Sequence, residues 1–139
     1  MSVKQYQGLG VGGNWVYGMA KTDTKKHIDG YVSTQYVIEG RVVFKDSIGI
    51  YVGQDDVKGK PLYVGDIVDI MNGERFTGVR GVIEWRADRR QMEVVVYSDF
   101  SVLGLEVHRY PMLQIERHKL VKTGHHFEEM QKSYLAMTN

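Results

Sequence analysis

Apolar and polar residues alternate in short runs along most of this chain, and Gly-rich turns separate the runs. That is the pattern of half-buried β-strands. From Asn14 to Ala20, Trp15, Tyr17 and Met19 fall on one face and Val16, Gly18 and Ala20 on the other, which predicts a first strand. Lys21 to Asp29 carries three lysines, two threonines and two aspartates with no periodic apolar content, and reads as a loop or hairpin connection. Tyr31 to Ile38 is β-branched and aromatic and predicts a second strand. Glu39-Gly40 then makes a turn into a returning strand, Arg41 to Phe44.

The stretch from Ile48 to Met71, IGIYVGQDDVKGKPLYVGDIVDIM, is the centre of the pattern. Two apolar runs flank a polar turn segment punctuated by Gly53, Gly59, Pro61 and Gly65, so one unbroken strand cannot pass through it. Val68, Asp69 and Ile70 alternate after Gly65-Asp66. Asp66 suits a cap that accepts hydrogen bonds from its own turn. Further on, Asn72-Gly73 is a turn dipeptide, and GVIEW, EVVVYSDF and LGLEVHRY read as strands, the first two joined by the charged turn RADRRQ. Pro111 interrupts the pattern before MLQIERHKLV. One helix is predicted, His125 to Met137, with Phe127, Met130, Tyr134 and either Leu135 or Met137 on one stripe.

Strands at this spacing predict a mainly β fold: a small SH3-like barrel or a partly open β-barrel, with additional hairpins and one C-terminal helix. At 139 residues with no repeat or linker, the expectation is a single domain spanning 1–139. Zero cysteines exclude disulfides, thiolate catalysis and cysteine-ligated zinc. A formal net charge of +1 provides no global field to steer the molecule towards nucleic acid or an anionic membrane. No apolar run approaches the roughly 18 residues of a membrane span, and no signal-like leader opens the sequence, so a cytoplasmic protein without membrane partners is expected.

The central stretch also resembles the YopX family of phage and prophage proteins, whose members carry a "TG..D.NG..IYEGDIV" segment. The opening YQGLGVGGNWVYG is similar to the family's "FRG…NG.WVYG", with Tyr6, Gly8, Gly13, Trp15, Val16, Tyr17 and Gly18 in corresponding places. GVRGVIEW resembles its "G.V.W" strand, and KLVKTGHHFEEMQ its closing "VIGNIYENPEL". Val64 stands where the family has an acidic residue, and the ending lacks the Gly-Asn-Ile and Asn-Pro elements. The resemblance implies a non-enzymatic phage or prophage accessory protein that self-assembles or binds another protein.

Chemical motifs are sparse. GQDDVKGKP spaces its glycines one residue too far apart for a P-loop and ends in Pro61 where a magnesium-binding hydroxyl belongs. GLGVGG lacks a preceding strand, and the turn with Asp55 and Asp56 lacks the closing Glu of a calcium loop. His125 and His126 are adjacent and point apart, so no metal site is expected, and no cofactor. The one candidate binding patch joins aromatic and basic residues, Trp85, Arg86, Arg89, Arg90 and Tyr97, which could track phosphates and stack a base. The preferred reading of the same residues puts Trp85 in the core and leaves Arg86 to Arg90 as a solvated turn. The expected partner is therefore a second copy or another protein, with nucleic acid as the alternative.

Overall fold

The computed structural model describes residues 4–98, 105–115 and 119–138, with helix side chains described up to Lys132. Among them are twelve strands and one α-helix, so the protein is mainly β. The chain divides into two compact units, Met1–Tyr51 and Val52–Asn139.

In the first unit, β1 (Tyr6–Leu9) and β2 (Trp15–Gly18) pair antiparallel, with Gly8 opposite Val16. A three-stranded meander follows, β3 (Ala20–Lys26), β4 (Val32–Ile38) and β5 (Arg41–Val43), in the order β3-β4-β5. The β4–β5 turn is Glu39-Gly40, and both residues take positive φ, 50° and 76°, as a tight two-residue hairpin requires. Val16, Ile38 and Val43 form the core, with Tyr6, Ala20, Tyr36 and Ile48 packed against it. Ser47, fully buried, ties it together: its Oγ accepts from the Leu9 amide at 2.8 Å and donates to the Phe44 carbonyl at 2.6 Å.

Two expectations are corrected here. The first predicted strand ends at Gly18, and most of the segment from Lys21 to Asp29, read as a loop or hairpin connection, belongs to strand β3, which pairs with β4 through seven consecutive residues. Nearly every side chain of β3 is exposed. Its pairing, not a buried face, makes it a strand, which is why no apolar period marks it. Tyr17 of β2 is exposed as well.

β6 (Gly49–Asp55) carries the chain from the first unit into the second. Its first residues pair with β1, and its continuation neighbours β7 (Pro61–Tyr63). The second unit is built on a curled half-barrel sheet in the order β11-β10-β9-β8-β12. These strands are β8 (Asp66–Asn72), β9 (Arg75–Arg86), β10 (Gln91–Tyr97), β11 (Glu106–Pro111) and β12 (Leu120–His125). Helix α1 (His126–Thr138) follows directly. Leu62, Val68, Ile83, Val94, Met112 and Leu120 form the core, at about 1.5–3 kcal/mol for each large apolar side chain buried. Pro111 ends β11, an edge strand, where its missing N–H costs no ladder bond. The predicted stripe residues Tyr134, Leu135 and Met137 lie outside the described side chains.

The turn before β8 is fixed by Asp66, whose carboxylate accepts from the Tyr63 amide at 2.8 Å and pairs with Lys122 Nζ at 3.1 Å. This is the capping role expected of it. Gly65 beside it has φ 96°, and a Cβ there would sit 2.5 Å from His125 Nε2. Only glycine satisfies both the backbone and the space. Asp56 acts similarly one loop earlier, accepting from the Lys58 and Lys60 amides and from the Lys122 amide of β12.

Candidate functional site

Register decides which predicted site residues meet. Across β9 and β10, Trp85 is opposite Met92 and Ile83 opposite Val94 on one face, while Glu84 is opposite Glu93 and Arg86 opposite Gln91 on the other. Trp85 therefore continues the core face past its packed end, and half of it is exposed (51%). The expectation of a core tryptophan is overturned: β9 extends beyond the apolar layer it helps to cover.

Arg86 is on the opposite face, and its guanidinium is engaged. Nε donates to Asp88 at 3.0 Å, and Nη1 lies 3.7 Å from Glu93. The hydrogen bond from Arg86 holds the Asp88 carboxyl below its usual range. Arg89 and Arg90 are exposed in the turn, and Arg90 takes φ 49°, a left-handed conformation. Tyr97 is not part of this turn. It sits at the far end of β10, where its hydroxyl donates to Glu84 Oε2 and its ring stacks on His126 at 6.0 Å. Burial and the Glu84 carboxylate push its pKa well up, so it stays a protonated donor. The structure thus places Arg89, Arg90 and the exposed Trp85 near one end of the sheet, and it separates Tyr97 from them.

Sequence reasoning missed a charged cluster centred on Glu93. This carboxylate is almost fully buried, and burial alone would raise its pKa. Hydrogen bonds from Gln91 at 2.6 Å and Arg109 Nη1 at 3.0 Å, with the charges of Arg86 and Arg109, outweigh that and hold it below the ordinary value. Arg109 also reaches Glu106 at 2.5 Å and Glu84 at 3.8 Å. Two carboxylates directly opposite each other on adjacent strands repel, and Arg109 is the cation that reconciles them. Farther along the same sheet, Asp69 receives Arg80 bidentately at 2.6 and 3.1 Å. Each of these carboxylates is engaged by an arginine. Through Arg86 and Arg109 the cluster links β9, β10 and β11.

His125 is buried between β8 and α1, and its Nδ1 accepts from the Phe127 amide at 3.0 Å. Burial first, then the nearby Lys122 and His126 charges, push its pKa down to about 3, so it is neutral. No group of three or more metal-ligating side chains occurs among the described residues.

The other missed feature is the β3–β4 hairpin. It runs out from the first unit's core with Lys21, Asp23, Lys25 and Lys26 exposed, and its tip carries the exposed apolar residues Ile28, Tyr31 and Val32. His27 stiffens that tip by contacting Ser33 Oγ at 2.9 Å and the Tyr31 ring at 5.3 Å. A sequence signal existed: Lys-Thr-Asp-Thr-Lys alternates charge with Thr at period two.

No family model, curated protein or solved structure matches the chain.

Proposed function

We propose that this protein is a non-enzymatic interaction module that acts by self-association, as the YopX-type resemblance implies for a phage or prophage accessory protein. The observation that carries the reading is the β3–β4 hairpin, a regular, exposed edge with an apolar tip. An edge strand presents a row of unused backbone donors and acceptors, which is a template for another strand. The half-barrel's carboxylates support the same reading, because their bonds to Arg80, Arg86 and Arg109 suit structural clamps better than catalysis. An SH3-like description of the half-barrel and a cytoplasmic location in a bacterial host belong to this proposal; no helix among the described residues is long and apolar enough to cross a membrane. Sedimentation velocity over a range of concentrations tests it. A species of twice the 15.9 kDa chain mass is expected, and a monomer throughout contradicts it.

A second reading, a nucleic-acid-binding module, is favoured by one observation: Trp85, Arg89 and Arg90 are all exposed. Anisotropy of labelled oligonucleotides at two salt concentrations tests it. Salt-sensitive binding weakened by Arg89→Ala and Arg90→Ala supports this reading, and no binding at low salt removes it.

A further inference from the structure

We infer that two copies of this chain join through their β3 edges, antiparallel, with Thr24 on the two-fold axis and Asp23 of each copy paired with Lys25 of the other. The inference rests on the self-association reading and specifies its geometry.

The phase of the backbone comes first. At the hairpin tip the His27 amide donates to the Tyr31 carbonyl at 2.7 Å, and the Gly30 amide donates to the His27 carbonyl at 3.0 Å. Both polar groups of His27 therefore face β4. Along an antiparallel strand the direction alternates, so Lys25, Asp23 and Lys21 also spend their backbone groups on β4, opposite Ser33, Gln35 and Val37. Lys26, Thr24 and Thr22 point theirs outward, away from the sheet. β3 terminates its sheet, and none of its residues from Lys21 to Lys26 is covered. The edge is a run of outward-facing amides and carbonyls without bulge or proline.

Charge then chooses the occupant. Lysines on an edge ordinarily deter pairing, and this edge carries Lys21, Lys25 and Lys26. Asp23 changes that for one partner in particular. In an antiparallel copy centred on Thr24, the two Thr24 residues form a hydrogen-bonded pair through their outward groups. Asp23 then falls opposite the other copy's Lys25, twice, at non-hydrogen-bonded positions where side chains approach most closely. Thr22 faces Lys26, and no like charges within the Thr22 to Lys26 run are opposed. Centring on Thr22 instead pairs Lys21 with Asp23, but the paired run then passes the end of β3 at Ala20 and reaches Gly18, which has φ 152°. Centring on Asp23 opposes two aspartates, and so does a parallel, in-register pair. The Thr24 register also carries the exposed Ile28 of each tip to the level of Ala20 in the other copy, beside its exposed Met19. The arm's apolar tip thus gains apolar surface to meet.

The full chain, which has no native cysteine, gives a direct test. Sedimentation equilibrium of wild type, Asp23→Lys, Lys25→Asp and the double variant with both changes is run beside air oxidation of Thr24→Cys and Thr22→Cys. The proposal expects a wild-type dimer and a dissociation constant raised about tenfold or more in either single charge variant. It expects restoration in the double variant, where opposite charges face each other again. It expects a disulfide-linked dimer from Thr24→Cys, whose Cα atoms would lie about 5.5 Å apart, and none from Thr22→Cys. A dimer indifferent to both charge reversals, or one crosslinked at position 22 and not at 24, overturns this geometry and leaves self-association standing. A wild-type monomer overturns both and leaves the edge to a strand of a different protein. Both charged side chains are exposed, so circular dichroism of the single variants should match wild type, and so should their melting at concentrations low enough that every form is monomeric.

Discussion

The five-stranded sheet of the second unit and the β3–β4 arm of the first carry similar kinds of charge, yet they use it in opposite ways. In the sheet, register brings each carboxylate to a cation: Glu93 to Arg109 and Arg86, Asp69 to Arg80, and Asp66 to Lys122. Those charges are buried or half-buried, and the folded chain itself completes them. In the arm, Asp23 and Lys25 are exposed, and among the described residues no salt bridge engages either. Removing one member of a charge pair engaged within the fold strands the other, whereas in the proposed assembly the arm's exposed charges would face a second copy. Removing charge from the sheet should therefore cost stability. Removing it from the arm should cost assembly alone.

The largest effect is expected at the turn that opens the sheet. Gly65→Val puts a β-branched residue at φ 96° and drives its Cβ into the His125 ring. The cost should exceed about 3 kcal/mol, seen as a melting temperature lowered by more than about 10 °C or as loss of soluble protein. An unchanged melt would mean the turn is not the constraint described. Next is Glu93→Ala, which leaves Arg109 and Arg86 facing an empty, dry position. Chemical denaturation should report a loss of about 3 kcal/mol, with assembly of the folded fraction intact. If Glu93→Ala were as stable as wild type, the clamp would be ornamental.

Acid should produce the smallest of the three effects. His125 is neutral when folded, its pKa pushed down to about 3 from 6.5. As pH falls below 6.5 the unfolded chain takes a proton that the folded one refuses. The stability associated with neutral His125 is thus complete above pH 6.5 and lost progressively towards pH 3. Melting temperature should fall between about pH 7 and about pH 5, and His125→Gln should flatten that fall. An equal slope in the variant would assign the acid sensitivity to other groups.

These sites differ in how far the sequence displayed them. The Glu39-Gly40 hairpin, the Gly65-Asp66 turn and the terminal helix were legible because each depends on local chemistry: positive φ, a carboxylate within reach of its own turn, a stripe at helical period. β3 was not, since a strand with two exposed faces has no hydrophobic period and owes its conformation to β4. The Glu93 cluster was hidden for a related reason. EVVVY reads as an ordinary buried strand, and the arginines that permit a carboxylate there arrive from β9 and β11 by register. Trp85 looked like core because its face is a core face, and only the length of β9 shows that the strand outruns the apolar layer.

Amide hydrogen exchange, followed residue by residue at low and high protein concentration, tests the division between self-satisfied sheet and unsatisfied arm most directly. The account predicts that the outward amides of Thr22, Thr24 and Lys26 gain protection as concentration rises, while Lys21, Asp23 and Lys25, already bonded to β4, and the strands of the five-stranded sheet change little. Exchange at Thr22, Thr24 and Lys26 that stays fast and independent of concentration would contradict it.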